Sequence, residues 1–247
     1  MPVQISAPRG TVMVSTQPLH QDNFASYGTV IENPDHALIP SDRIPKQYLP
    51  HNAVHANQGS ALKYLDVTHM VDRYPSAPSG RAGHAVVNMF VCAPRTLIPS
   101  HDSGIDGHFQ VNILERHPYT TQTFIPLGIS PAEQDEARYL VIVAPTLPPT
   151  KADEGLPVPR DSPGRGLPDL SRVHAFVAKG SQAVTYGGGT WHAPMVVVGK
   201  RPVTFVVVQT ANGVGLEDCQ EAQWDTDHDS NLLVAVPRVQ KRVPSKL

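Results

Sequence analysis

The sequence predicts a mainly β fold: a barrel or jelly roll of short antiparallel strands, with few short helices and long proline-rich loops. Three observations carry this. The 247 residues include 25 prolines and 18 glycines, and a proline inside a helix removes a backbone donor and clashes with the preceding turn. Short runs rich in β-branched and aromatic residues recur along the chain, each closed by Pro, Gly, Asn or Asp. No apolar stripe of helical period matches them in strength, the weak pattern at 131–137 being the nearest to one.

Taken in order, 21–32 begins as a helical turn around Phe24 and passes through Tyr27 and Gly28 into a strand at Val30 and Ile31. Residues 36–55 are rich in Pro, His and polar side chains and read as a loop. Strands are then expected at 61–67, 84–92, 111–116, 123–127, 139–144, 173–177, 183–186, 195–198 and 203–210. Segments 77–83 and 100–107 read as small insertions. The stretch 146–169 holds many prolines among charged residues and lacks apolar periodicity, so it is expected as an exposed loop. All of this fits one domain over 1–247, with a flexible tail at 240–247.

Composition narrows the function. Twenty basic against 22 acidic residues leave a net charge of −2, and no basic run suggests a nucleic-acid surface. The longest apolar runs are strand length, too short for a membrane-spanning helix. Cys92 and Cys219 are too few for a disulfide scaffold and lack metal spacing. The chain ends in Ser245, Lys246 and Leu247, a tripeptide read by the peroxisomal import receptor, so a peroxisomal location is expected.

The densest polar segment is Glu115-Arg116-His117-Pro118, with Gln122 shortly after. Side chains alternate along a strand, so Glu115 and His117 share a face and Arg116 takes the other, where a structural or interface role is expected. Pro118 closes the strand because it cannot donate to a ladder. Farther on, Gly187-Gly188-Gly189-Thr190-Trp191-His192 brings a second histidine after a glycine cluster, with Trp191 on the opposite face. This is the spacing of the two cupin metal motifs, with Glu115 and Gln122 replacing a His and a Glu. His117, His192 and Glu115, with Gln122 as a weak oxygen donor, could hold a divalent metal. A metal-free substrate site suits the same residues. Tyr186 could line it, as could Cys219, for which a buried inert thiol is the expected state.

Leu114–Pro118, Thr121–Pro126 and Gly189–Pro194 resemble, in that order, the ureidoglycolate lyase (ureidoglycolate hydrolase) family, as do Phe24–Glu32, Asn57-Gln58-Gly59 with Lys63, and Asp218-Cys219. The resemblance covers about residues 20–225, insertions excluded, and points to a fungal-type member. It implies a cupin-like fold, a homodimer, and cleavage of (S)-ureidoglycolate to glyoxylate and urea in allantoin and purine degradation. On this substrate His117 and His192 are expected at the reacting centre as acid and base, with Glu115 as the alternative base or an orienter of His117. The resemblance also implies substrate contacts from Lys63, Asn57 and Gln122. Family members from bacteria carry Arg where this chain has Lys63, which keeps the charge but loses the bidentate fork. A metal-dependent cupin of another reaction and a non-catalytic small-molecule binder are the competing readings.

Overall fold

The computed structural model describes residues 1–130, 133, 136–160, 162, 164–226 and 231–238, with the backbone alone at 152. Its organising element is the strand Arg138–Ala144, whose seven residues are all buried. It lies inside an eight-stranded sheet. Trp191–His192, Ile113–Arg116, Gln220–Gln223 and Val3–Gln4 follow in order on one side, and His174–Lys179 and Thr16–Pro18 on the other. Val196–Val197 pairs with the same central strand. The unbroken apolar run of Tyr139–Ala144 reflects burial on both faces, which removes the polar alternation of a half-exposed strand.

Two cores result. Leu140, Ile142 and Ala144 pack with Val111, Phe109, Leu232 and Val234. The last four belong to a three-stranded sheet of Thr11–Val14, Asn231–Pro237 and Ile105–Val111. Tyr139, Val141 and Val143 pack with Phe124, Val184, Phe205 and Val207. These come from a five-stranded sheet ordered Gly28–Ile31, Ala183–Tyr186, Gln122–Leu127, Val203–Ala211 and His84–Cys92. The central sheet is therefore covered on both faces. The arrangement is mainly β with few short helices and is consistent with a cupin-like fold, formed by several sheets and no closed barrel among the described residues.

Most of the expected strands appear close to their expected bounds, and His84–Cys92 and Ala183–Tyr186 match them. Three expectations need correction. Segment 100–107 is no simple insertion, because a strand begins at Ile105 and pairs with Asn231–Pro237. Nor are the pairings all antiparallel: Val3–Gln4, Thr11–Val14 and Thr16–Pro18 each join their sheets in parallel. Finally, the insertion is anchored rather than simply exposed. Leu147 N–H donates to Leu167 O at 2.8 Å and Asp169 N–H to Pro145 O at 2.8 Å, while Asp153 and Leu156 are buried.

Gly28 shows how close the packing is beside the site. A Cβ on it would overlap the Thr185 carbonyl, so the pairing of Gly28 with Tyr186 requires glycine. Among the described residues no helix is long and apolar enough to cross a membrane. The expected helical pattern at 131–137 falls partly, and the targeting tripeptide Ser245, Lys246 and Leu247 wholly, outside the described residues.

Candidate functional site

The candidate site closes one end of the second core, where polar side chains replace apolar ones between the central and five-stranded sheets. Glu115 and His192 are directly opposite each other on neighbouring antiparallel strands, the geometry in which cross-strand side chains meet. His192 Nε2 lies 3.5 Å from Glu115 Oε1. His117 follows on the face of Glu115, its ring centroid 5.7 Å from that of His192. One ligand atom from each of Glu115, His117 and His192 falls within 4.8 Å of the others. From the facing sheet, Gln122 Oε1 approaches His192 Nε2 at 3.3 Å. The Gln122 amide donates to Gln209 Oε1 at 2.7 Å, which turns its carbonyl oxygen toward the histidine. Tyr186, opposite Gln122 in the sheet, stacks on His192 with centroids 3.9 Å apart and planes at 12°.

Backbone carbonyls set the tautomers. His117 Nδ1–H donates to Asp218 O at 2.6 Å and His192 Nδ1–H to Thr190 O at 2.8 Å. A carbonyl only accepts, so both rings carry a proton on Nδ1 and both Nε2 atoms turn into the site. His117 Nε2 is buried with no hydrogen-bond partner. Burial, reinforced by the neighbouring His192, lowers its basicity despite Glu115 and the Asp218 carbonyl, so the ring is neutral and presents a lone pair at neutral pH. Glu115 behaves oppositely. Burial acts to raise its carboxyl, but the His192 hydrogen bond and the two histidines prevail and hold it below the usual glutamate range. Burial, with the Glu115 charge second, pushes the Tyr186 phenol far above its ordinary range, so it stays protonated.

This donor set fits a divalent cation. Two imidazole Nε2 atoms and a carboxylate converge, the amide oxygen of Gln122 lies beside them, and backbone carbonyls accept from the outer nitrogens and fix the rings, as acceptors do behind metal-ligating histidines.

The motif's other face is structural, as the alternation implied. Arg116 is fully buried. Its guanidinium donates to Gln220 Oε1 at 2.9 Å, Gly166 O and Arg165 O at 3.0 Å, and Gly164 O at 3.3 Å. It also stacks on Trp191 at 4.5 Å. Arg116 is thus an anchor of the proline-rich insertion, beside the backbone bonds that close it, which explains why that segment packs without a strand pattern. The Cys219 thiol lies 4.0 Å from Glu115, and burial, with the Glu115 charge second, pushes it up to about 12, as expected of an inert thiol.

Asn57 and Lys63 are not brought into this cluster. They lie on a separate hairpin of Ala53–Ala56 and Ala61–Tyr64, with Asn57 in its left-handed turn (φ 48°) and Lys63 exposed. Two contributions escaped sequence reasoning. The Asp218 carbonyl has no side-chain signature. Arg73 places a guanidinium nitrogen 3.8 Å from where a Cβ on Gly188 would stand, in the glycine loop that leads to His192, and loop position gives no periodic signal.

The family model described as Ureidoglycolate lyase matches residues 11–230. The chain belongs to the ureidoglycolate lyase family. The match runs past the 20–225 span expected from the motifs at both ends. The chain is similar to a Schizosaccharomyces pombe protein named ureidoglycolate lyase, 36% identical over 84% of this chain and 89% of the relative. It resembles a Saccharomyces cerevisiae protein of the same name at 34% identity, over 76% of this chain and 80% of the relative. A Burkholderia mallei ureidoglycolate lyase shares 30% identity over 87% and 94%. The resemblance to this family read from the motifs is thereby borne out.

Proposed function

We propose that the chain is a ureidoglycolate lyase, splitting (S)-ureidoglycolate into glyoxylate and urea at Glu115, His117 and His192. Membership of the family supports the activity, and the convergence of two imidazole nitrogens and a carboxylate within 4.8 Å carries the assignment to these residues. The substrate carbon bears a hydroxyl, a carboxylate and a urea nitrogen. His117, neutral with its Nε2 lone pair free, takes the hydroxyl proton as the carbonyl forms. The C–N bond breaks, its electron pair stays on the urea nitrogen, and His192 supplies that nitrogen with a proton. Glu115 and the Gln122 carbonyl, both acceptors, lie 3.5 and 3.3 Å from His192 Nε2 and orient the hydrogen it passes on. Acid–base steps of this kind contribute roughly 10²–10⁴-fold.

His117, His192 and Glu115, with Gln122, would hold a divalent cation, which when bound supplies Lewis-acid lowering of the hydroxyl pKa. Lys63 and Asn57, the substrate contacts implied by the family resemblance, lie on a separate hairpin, and Arg73, beside the glycine loop that leads to His192, is the candidate cation for the substrate carboxylate. The test is to incubate the protein with ureidoglycolate, with and without chelator, and assay glyoxylate, urea and ammonia separately. Glyoxylate with equal urea supports the lyase. Persistence under chelation keeps the histidines as acid and base, and loss restored by a divalent ion makes them ligands. Ammonia in place of urea, or no turnover, overturns the proposal.

Two further assignments belong to this reading. The outer face of the five-stranded sheet carries Val87, Met89 and Val91, each about two-thirds exposed, with Ile125 and Leu127 alongside. Such an apolar face supports an interface, and the homodimer implied by the family resemblance assigns it to a second copy of the chain. The tripeptide Ser245, Lys246 and Leu247 directs the enzyme to peroxisomes, which a fluorescent fusion ending in these residues tests against one lacking them.

A further inference from the structure

We propose that Tyr74, acting through the Asp218 carboxylate, is a positioning residue for His117. The role rests on the lyase reading of the site. Among the described residues, the one hydrogen bond to the His117 ring is to Asp218 O, which accepts its Nδ1–H at 2.6 Å. That carbonyl belongs to the short turn Gly215–Asp218, and a turn of one helical cycle has little rigidity of its own. Its side chains supply what is missing.

The Asp218 carboxylate accepts from Tyr74 Oη at 2.7 Å and from the backbone N–H groups of Asn212 and Gly213, both at 2.8 Å. Tyr74 Oη is also 3.2 Å from Thr210 O. A phenol has one proton, and the shorter contact to a charged acceptor takes it. Burial, with the Asp218 hydrogen bond and the Asp218, Asp72 and Glu217 charges following, pushes the phenol far above its usual range, so it remains a donor. The neighbouring Glu217 carboxylate accepts from Ser79 N–H at 2.8 Å, Ser79 Oγ at 2.6 Å and Asn212 Nδ2 at 2.7 Å. Two adjacent carboxylates thus tie the turn to the 74–79 segment.

Tyr74 is fully buried and stacks on Tyr119 with ring centroids 5.7 Å apart. The chain from Tyr74 through Asp218 to His117 therefore joins a distant loop to the reacting nitrogen. The Asp218 carboxylate carries this force, and its carbonyl delivers it as a fixed tautomer with Nε2 in the site.

Tyr74→Phe keeps the stacked ring and deletes only the donor. In the full chain, kcat for ureidoglycolate is expected to fall roughly 10-fold, the lower end of the effect of removing a group that orients a functional histidine, with KM within about twofold. On chelator-treated protein, nitrogen NMR of the imidazoles is expected to show the His117 ring divided between its two tautomers, while His192 keeps Nδ1–H. Asp218→Asn, which presents an amide to the same donors, gives the same division. Tyr119→Phe removes a hydroxyl from the stacked neighbour and retains the parent spectrum. A single Nδ1–H tautomer at His117 in both Tyr74→Phe and Asp218→Asn overturns the positioning role, whatever the rates. Failure of the parent to release glyoxylate overturns the lyase reading instead, and the tautomer comparison still decides the role of Tyr74.

Discussion

Replacing Arg116 by Met tests the division of the Glu115-Arg116-His117 motif into a chemical face and a structural face. Methionine nearly fills the volume, so little cavity is made, and what is lost is polar. Gly166 O keeps the Trp191 indole N–H at 3.1 Å, and the Gly164 and Arg165 carbonyls lie where residues are partly or fully exposed and water can replace the donor. Gln220 Oε1 is left buried without its guanidinium, costing about 1–3 kcal/mol. Loss of the stack on Trp191 adds roughly 1–2 kcal/mol. Relief of the guanidinium's desolvation offsets part of this, leaving a net cost of about 2–4 kcal/mol. For a chain of this size that lowers the melting temperature by roughly 4–16 °C. Thermal melting and limited trypsin digestion form the assay, with Lys151 and Arg160, both exposed in the insertion, as the expected new cleavage points. A melt within about 2 °C of the parent, with the insertion still protected, would refute the anchoring argument, because a loss below about 1 kcal/mol leaves no room for it.

Met89→Glu places a charge on the apolar sheet face and is expected to convert a dimer to a monomer in analytical ultracentrifugation; a parent that is already monomeric removes the interface. Glu217→Gln probes pH linkage. The Ser79 and Asn212 hydrogen bonds outweigh burial and hold this carboxyl below its ordinary value, so its stabilisation is present above the unfolded pKa of about 4.3. That stabilisation is lost as pH falls through the lower folded value. The variant should therefore melt below the parent at neutral pH, with the gap closing in acid; a gap that is constant with pH contradicts this. At pH 8 the Cys219 thiol, raised to about 12, should react with iodoacetamide far more slowly than a free thiol of pKa about 8.5, as followed by mass spectrometry; equal rates would mean that the thiol is open and ionised.

Local pattern was enough for much of the architecture. Strands such as His84–Cys92 and Ala183–Tyr186 declare themselves by β-branched composition and bounding glycine or proline. Alternation alone placed Glu115 with His117 and sent Arg116 and Trp191 the other way. It could not say that those two would stack on each other, because that depends on which strands become neighbours. The parallel N-terminal strands are two to four residues long and find their partners far along the chain, beyond the reach of any local period. The insertion misled for a related reason: its ordering comes from backbone carbonyls captured by Arg116, Gln220 and Trp191 and by its own backbone N–H groups, and carbonyls are the same in every sequence.

The sequence by itself determined roughly half of the strands, the Glu115, His117, Gln122 and His192 positions that come together and, through ordered motifs, the family. Only the tertiary structure decided that Glu115 meets His192 across a ladder, that both imidazoles turn Nε2 inward, and that Tyr74 reaches His117 through Asp218. Pattern records which face of a strand a side chain occupies. Register, backbone acceptors and burial set its partners and its proton, and these exist only once distant segments have packed.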